Sequence, residues 1–211
     1  MLYTARDNDM SLYDKSNINE YQPLAARLRP NSLSQFIGQS HLLADDKPLK
    51  KAILQGRIHS MVFWGPPGTG KTTLARLMSQ TANAHFVQLS AILTGVKELK
   101  QHIEEATYRR QQTQQKTVLF IDEIHRFNKS QQDIFLPFME DGTLILIGAT
   151  TENPSFELNH ALLSRLRVYV LKRLNNDELQ LILNRAVHDT RDGLGNIPLE
   201  IEEASNWRWC N

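Results

Sequence analysis

One run of the sequence combines the residue types that hold a phosphate chain. It consists of Gly65, Pro66, Pro67, Gly68, Thr69, Gly70, Lys71 and Thr72, with Thr73 directly after it. The glycines let backbone N–H groups turn inward as an anion nest, to which a following helix adds its positive end. Lys71 can then reach the β- and γ-phosphates of ATP, and the Thr72 hydroxyl can coordinate Mg²⁺. An apolar run before the loop and a helical pattern after it argue against a chance match.

A second pair of residues could complete this chemistry. Asp122 and Glu123 directly follow the apolar run 118–121. Because parallel α/β sheets bind ligands at the carboxyl ends of their strands, both carboxylates are expected beside the phosphates. Asp122 would hold the Mg²⁺ shell and Glu123 would polarise the attacking water as general base. A solvated Asp-Glu pair at a strand end is the alternative, which the Gly-rich loop makes less favourable.

Three weaker features remain open from spacing alone. Thr150 and Thr151 end the next buried strand, where a hydroxyl could touch the γ-phosphate or water. Arg165 follows an apolar helical turn, a place where an arginine is usually a surface residue. The run 125–128, which begins with His125, could be functional, but packing is the simpler interpretation.

The elements that must position these residues alternate along the chain. Apolar runs at 61–64, 85–89, 118–121, 144–147 and 168–171 predict strands, and several are apolar on both faces, as buried parallel strands are. Patterns at 72–80, 96–111 and 177–187 predict helices. In the second of these Val96, Leu99, Ile103 and Ala106 would share one face, and an earlier helix would place Leu49, Ile53 and Leu54 on one face. Alternation of this kind predicts an α/β fold with a mainly parallel sheet.

The composition and charge of the chain indicate the compartment in which it works. The chain has 24 Lys and Arg against 23 Asp and Glu, so net charge gives no overall attraction to nucleic acid or membrane. The single cysteine, Cys210, cannot form an internal disulfide, which is typical of a reducing compartment. No apolar run approaches the roughly 20 residues of a membrane span. These features predict a cytoplasmic protein without a membrane partner.

Several motifs resemble a known family. Residues 20–30, followed by Phe36-Ile37-Gly38-Gln39, resemble the nucleotide-base region of clamp-loader-type AAA+ ATPases. The runs IDEIHRFNKSQQ (121–132) and IGATTENPSFEL (147–158) resemble the RarA family, also called MgsA, of replication-associated recombination ATPases. The run 161–165 completes the pattern.

The resemblance implies an architecture and a set of partners. It implies a P-loop AAA+ fold, with a five-stranded parallel sheet flanked by helices and a helical lid, that works as a homo-oligomer with ATP bound between subunits. It also implies a role in DNA replication, recombination and repair at stalled forks. The implied partners are DNA forks, gaps or ends and single-stranded DNA-binding protein.

The resemblance also assigns roles to individual residues. Lys71 and Thr72 correspond to the Walker A motif, and Asp122 and Glu123 to Walker B. Thr151 corresponds to the sensor-1 position, and Arg165 to the arginine finger that serves a neighbouring subunit's γ-phosphate. Ile37 and Gly38 correspond to positions near the adenine.

The same comparison divides the chain into three parts. We expect a flexible leader at 1–20, a nucleotide-binding core at 21–171, and an incomplete helical lid with an atypical tail at 172–211. Residues 205–211 depart from the family pattern, which indicates a truncated product of a longer reading frame.

Two alternative functions follow from these features. A chain without a complete lid could bind nucleotide without turnover. A protein-remodelling ATPase would use the same phosphate site, but such enzymes usually carry an aromatic pore loop, and the corresponding run 90–95 has no aromatic residue.

Overall fold

The computed structural model describes residues 22–198. The predicted leader at 1–20 and the end of the predicted tail, from residue 199, lie outside the described residues. The described part of the chain forms two units: residues 30–178, and residues 22–29 together with 179–198.

The larger unit is built on one parallel sheet of five strands in the order β2-β3-β4-β1-β5. In chain order the strands are β1 Met61–Trp64, β2 His85–Ser90, β3 Thr117–Asp122, β4 Leu144–Thr150 and β5 Arg167–Val170. The predicted α/β class and parallel sheet are therefore confirmed.

Helices account for about half of the remaining described chain. They are α1 Leu24–Arg27, α2 Ser40–Leu43, α3 Pro48–Leu54, α4 Lys71–Thr81, α5 Val96–Thr113, α6 Lys129–Asp133, α7 Leu136–Glu140, α8 Pro154–Glu157, α9 His160–Leu163 and α10 Asn176–His188. Two short 3₁₀ turns lie at Leu33–Gln35 and Ile124–Arg126.

Strands β1, β3 and β4 bury both faces of the sheet because they are apolar at successive positions. The prediction of a buried strand at 168–171 is wrong for β5, which is mostly exposed because it is an edge strand. Along β3, Leu119 and Ile121 belong to one hydrophobic cluster, while Val118 and Phe120 belong to another. Since successive side chains of a strand point to opposite faces, the two clusters are the two sides of the sheet. Helix α5 packs on the first side, and α3 and α4 pack on the second.

Two predicted helix faces are wrong at one position each. Leu49 and Ile53 of α3 are buried as predicted, but Leu54 is 63% exposed. Leu54 is the last residue of its helix, where the chain turns away from the sheet. On α5, Val96 is 42% exposed because it is the first residue, one turn before the sheet-facing stripe.

Strand β4 is longer than its apolar run. The apolar run covers 144–147, and the strand ends at Thr150, one residue before its predicted end at Thr151, with Trp64 paired to Thr150. Gly148, Ala149 and Thr150 do not form an apolar pattern. Pairing with β1 and complete burial keep them in the ladder.

The smaller unit contains α1 and most of α10. Arg27 Nη2 donates to Gly193 O at 3.5 Å, and the Leu194 amide donates to Ala186 O at 2.8 Å. Backbone N–H groups of Asp192 and Arg191 lower the pKa of Asp189 below its usual value. None of the helices within residues 22–198 has the length and apolarity needed to cross a bilayer.

Gly148 permits a close approach between β4 and the turn after β3. A Cβ at this position would lie 2.9 Å from Ile124 Cδ1 and 3.0 Å from Ile124 Cγ2. Ile124 is fully buried, so its side chain has little room to move away.

Gly148→Ala should therefore lower the free energy of unfolding by about 1–3 kcal/mol through overpacking. Urea denaturation followed by far-UV circular dichroism measures this loss. Gly95→Ala is the matched control, because nothing lies within 4 Å of a Cβ there and its φ is −82°. Equal free energies of unfolding for the two variants would show that the structure has room for a Cβ at position 148 beside Ile124.

Candidate nucleotide site

The Gly-rich loop connects β1 to α4 at the carboxyl edge of the sheet. Gly70 is the N-cap of α4 in the left-handed conformation, with φ 89°. A side chain at this position would also collide with the Phe36 ring, whose Cζ would lie 2.8 Å from a Cβ. The Gly65 amide donates to Thr150 O at 3.1 Å, which attaches the start of the loop to the end of β4.

Lys71 is the first residue of α4 and is only 9% exposed. Its Nζ donates to Gly65 O at 2.7 Å and to Pro66 O at 2.9 Å, so the ammonium lies inside its own loop. Thr69 Oγ1 donates to Pro66 O at 3.0 Å and reinforces the same turn. Pro67 and Gly68 are exposed at the outer side of the loop, and Thr72 and Thr73 are half-buried.

Burial lowers the pKa of Lys71 below its usual value, and the negative charges of Glu123 and Asp122 act in the opposite direction. Desolvation disfavours the ammonium, whereas nearby carboxylates favour it. The folded chain therefore brings together the two predicted halves of the site, the lysine of the loop and the carboxylates after β3.

Asp122 and Glu123 have different backbone settings. Asp122 is the last residue of β3, and its carbonyl accepts from the Ala91 amide at 2.9 Å. Glu123 adopts the left-handed conformation, with φ 53° and ψ 46°. A non-glycine residue there costs on the order of 1–3 kcal/mol, so the surrounding structure must hold it.

The two threonines at the end of β4 make different contacts. Thr150 is fully buried, and its Oγ1 accepts from the Glu152 amide at 3.0 Å and lies 3.0 Å from Nδ1 of His125. Thr151 follows the strand and is half-buried. The Thr150 hydroxyl is therefore used by contacts within the chain.

The segment before α2 lies against the loop. Gln39 is 4% exposed, and its Nε2 donates to Lys172 O at 2.7 Å while its Oε1 accepts from the Lys172 amide at 2.9 Å. The same Nε2 lies 3.4 Å from Thr69 O. These bonds place Ile37 and Gly38, the predicted adenine neighbours, beside both the loop and the chain that leaves β5.

Arg165 is separated from this site. It follows α9 and lies two residues before β5 begins, whereas the Gly-rich loop follows the end of β1. Since β1 and β5 pair in parallel, with Met61 opposite Arg167, Arg165 lies at the amino edge of the sheet. Its guanidinium is bonded to Glu140 Oε1 through Nε and Nη2, and Nη1 donates to Ala161 O at 2.7 Å.

A cleft of about 1270 Å³ opens at that amino edge. Among the charged residues of its lining the basic ones outnumber the acidic ones, and Glu140 is its one acidic lining residue within the described chain. The cationic members are Lys51, Arg57, Arg110, Lys116, Arg165 and Arg167. This edge therefore presents positive charge, while the opposite edge carries Asp122 and Glu123.

Sequence reasoning missed Gln39, and it gave His125 only as the start of a run for which packing was the simpler interpretation. Gln39 and His125 both lie inside quoted motifs, but their polar contacts join segments distant in the sequence. The residue types gave only a weak signal: an amide and an imidazole within otherwise apolar or helical patterns.

Comparison with known proteins agrees with this geometry. Residues 61–174 match the ATPase family associated with various cellular activities (AAA), which is more than half of the chain. This chain belongs to the AAA ATPase family. The matched segment of this AAA domain runs from the start of β1 to the chain beyond β5 and includes every strand of the sheet.

Individual relatives carry a more specific name. Replication-associated recombination protein A of Haemophilus influenzae is 58% identical over 185 residues, which is 88% of this chain and 41% of that protein. The protein of the same name from Escherichia coli K12 is 58% identical over 84% of this chain and 39% of its own length. The AAA domain thus spans about two fifths of the relatives it matches.

A solved structure also resembles this AAA domain. The Thermotoga maritima RuvB Holliday junction branch migration motor superposes with a TM-score of 0.59 at 31% identity. The match covers 76% of this chain and 54% of that one. The AAA+ fold inferred from the sequence is therefore confirmed by both kinds of comparison.

The enclosed ammonium gives a direct test of the loop. Lys71→Ala should weaken Mg·ATP binding at least about tenfold, or about 1.4 kcal/mol, because a charge-assisted contact to phosphate is lost. Isothermal titration calorimetry measures the affinity. Lys97→Ala, an exposed lysine on α5, is the control and should bind ATP like the wild type. Unchanged affinity in Lys71→Ala would contradict the assignment of the loop.

Proposed function

We propose that this chain binds Mg·ATP at the Gly-rich loop and hydrolyses it to ADP and phosphate. The observation that carries the proposal is the meeting of Lys71, Asp122 and Glu123 at one edge of the sheet, where the carboxylates act on the pKa of the lysine. A buried cation inside a loop of backbone N–H groups suits a polyphosphate, which would replace the carbonyl oxygens that now hold Nζ.

The chain's own residues supply distinct parts of the chemistry. The backbone of residues 65–70 would cradle the phosphates, and Lys71 would neutralise charge on the β- and γ-phosphates. Thr72 and Asp122 would hold Mg²⁺, since a hydroxyl and a carboxylate are oxygen ligands of the kind that Mg²⁺ prefers. The metal ion supplies charge neutralisation to the phosphoryl oxygens. Glu123 would accept the proton of the attacking water.

Residues around this centre are proposed to contact the nucleotide. Thr151 is proposed as the polar residue that contacts the γ-phosphate or the water, because its neighbour Thr150 has its hydroxyl bonded internally. Ile37 and Gly38 are proposed to lie near the adenine, which the anchoring of Gln39 beside the loop supports.

Arg165 is proposed to act on a neighbouring subunit. A guanidinium at the amino edge of the sheet cannot serve the loop at the carboxyl edge of the same chain, because β1 alone separates the edges by roughly 13 Å. The proposal therefore requires a homo-oligomer in which the Arg165 edge of one copy faces the nucleotide of the next.

The relatives suggest the biological setting. We propose that the chain acts in DNA replication, recombination and repair at stalled forks in the cytoplasm, with DNA forks, gaps or ends and single-stranded DNA-binding protein as partners. The names of the 58% identical relatives support this role. We also propose that residues 21–171 form the nucleotide-binding core and that 172–211 correspond to part of a helical lid.

Glu123→Gln provides the decisive test of hydrolysis. We expect it to retain Mg·ATP affinity and to lose turnover by at least about 100-fold, since the amide cannot accept the proton. Steady-state phosphate release is measured with and without forked or gapped DNA. Turnover that depends on Glu123 and increases with DNA supports the proposal. A wild-type chain that binds Mg·ATP without turnover would contradict hydrolysis and favour a purely nucleotide-binding role.

Mixing two inactive variants tests the role of Arg165 in trans. Arg165→Ala alone should lose most turnover, because a missing arginine finger costs about 10³–10⁵ in rate in related enzymes. Addition of Glu123→Gln chains, which keep Arg165, should restore part of it. Arg167→Ala, an exposed arginine two residues away, is the control and should retain turnover. No recovery on mixing would argue against action across an interface.

A further inference from the structure

His125 lies against the buried half of the Glu123 carboxylate. Its Nδ1 is 3.2 Å from Glu123 Oε2, and the histidine side chain is only 9% exposed. Glu123 Oε2 is buried without a hydrogen-bond partner in the described part of the chain. A buried carboxylate oxygen in this state is costly unless a positive charge or a donor stands close to it. Nδ1 of His125 is such a group.

The contacts of His125 favour one assignment of its ring proton. Thr150 Oγ1 lies 3.0 Å from Nδ1 and 3.2 Å from Glu152 O, to which its hydroxyl can donate. With that donation Oγ1 is an acceptor toward the imidazole, and the carboxylate of Glu123 is an acceptor as well. This arrangement assigns the proton to Nδ1, with its N–H directed to Thr150 and the partial positive charge of that group next to Glu123.

Packing and a backbone hydrogen bond hold the backbone of Glu123 and His125 in place. Ile124 is fully buried against Gly148, and the Arg126 amide donates to Glu123 O at 2.8 Å. These contacts fix the left-handed turn at Glu123 and the backbone of His125. What remains free is the rotation of the Glu123 side chain, which is 30% exposed and could turn toward solvent.

We propose that His125 is a positioning residue for the Glu123 carboxylate. This role rests on the proposed use of Glu123 as general base. The partial positive charge of the Nδ1 N–H group, 3.2 Å away, attracts Oε2 and keeps it inside the fold, which leaves the other carboxylate oxygen to face the attacking water. Because Nδ1 also contacts Thr150, the residue before Thr151, any movement of the end of β4 acts on the base through a single imidazole.

Two amide variants separate this role from simple packing. In His125→Asn the side-chain NH₂ can take the place of Nδ1, whereas in His125→Gln the amide lies farther out, near the place of Nε2. We expect His125→Gln to lower kcat about 10–100-fold, the order of loss that a displaced catalytic group causes, with ATP affinity within about twofold of wild type. His125→Asn should recover most of the lost kcat.

The control and the contradicting outcome are well defined. His102→Ala removes a histidine that pairs with Glu105 at 3.3 Å on α5, and it should leave kcat unchanged. Equal kcat values for His125→Asn and His125→Gln, whether low or high, would overturn the proposal. So would a loss that lies in ATP affinity rather than in kcat.

An NMR measurement tests the contact even if the chain does not hydrolyse ATP. The imidazole nitrogen signals of His125 should identify Nδ1 as the protonated nitrogen, and Glu123→Gln should shift them. A protonated Nε2, or signals that do not change in Glu123→Gln, would overturn the proposal. If the wild-type chain shows no turnover but its imidazole signals are as expected, the result counts against hydrolysis alone. It does not count against the His125–Glu123 contact.

Discussion

Strand β4 is buried along its whole length between β3 and β1, and the pairing of these three strands determines where the polar groups of the site lie. The pairing of Trp64 with Thr150 places the start of the Gly-rich loop at the end of β4, and the amide of Gly65 completes that contact. The carboxylates after β3 border the same edge from the other side. A shift of β4 by one residue would reverse which of its side chains face each half of the core, so its register and the site are fixed together.

Two charged residues of the site, Lys71 and Glu123, have surroundings that compensate their charges only in part. Lys71 is enclosed by carbonyl oxygens of its own loop, and its ammonium is disfavoured by burial in spite of the two carboxylates. Glu123 has a strained backbone and one buried oxygen without a hydrogen bond. Groups of this kind are rarely retained for stability, because each of them costs free energy of folding. They are typical of places where structure is maintained for binding or catalysis.

The sequence was most informative where a local pattern determines structure. Apolar runs identified the inner strands because these are buried on both faces, and glycine spacing identified the loop because few other residues permit its backbone. The apolar run of β4 stops at Ile147, and pairing and burial continue the strand through Gly148 and Ala149 to Thr150. The contacts of Gln39 with Lys172, and of His125 with Thr150, join residues far apart in the chain, so no local pattern could indicate them.

The position of Arg165 at the amino edge, opposite the Gly-rich loop, has a consequence for symmetry. If the two edges complement each other between copies, the contact is heterologous: one surface of each copy meets a different surface of the next. Such a contact cannot close into a two-fold dimer. It propagates until the rotation per copy closes a ring, or continues as an open helix. The polarity of a single parallel sheet would then set the direction in which copies follow one another around the assembly.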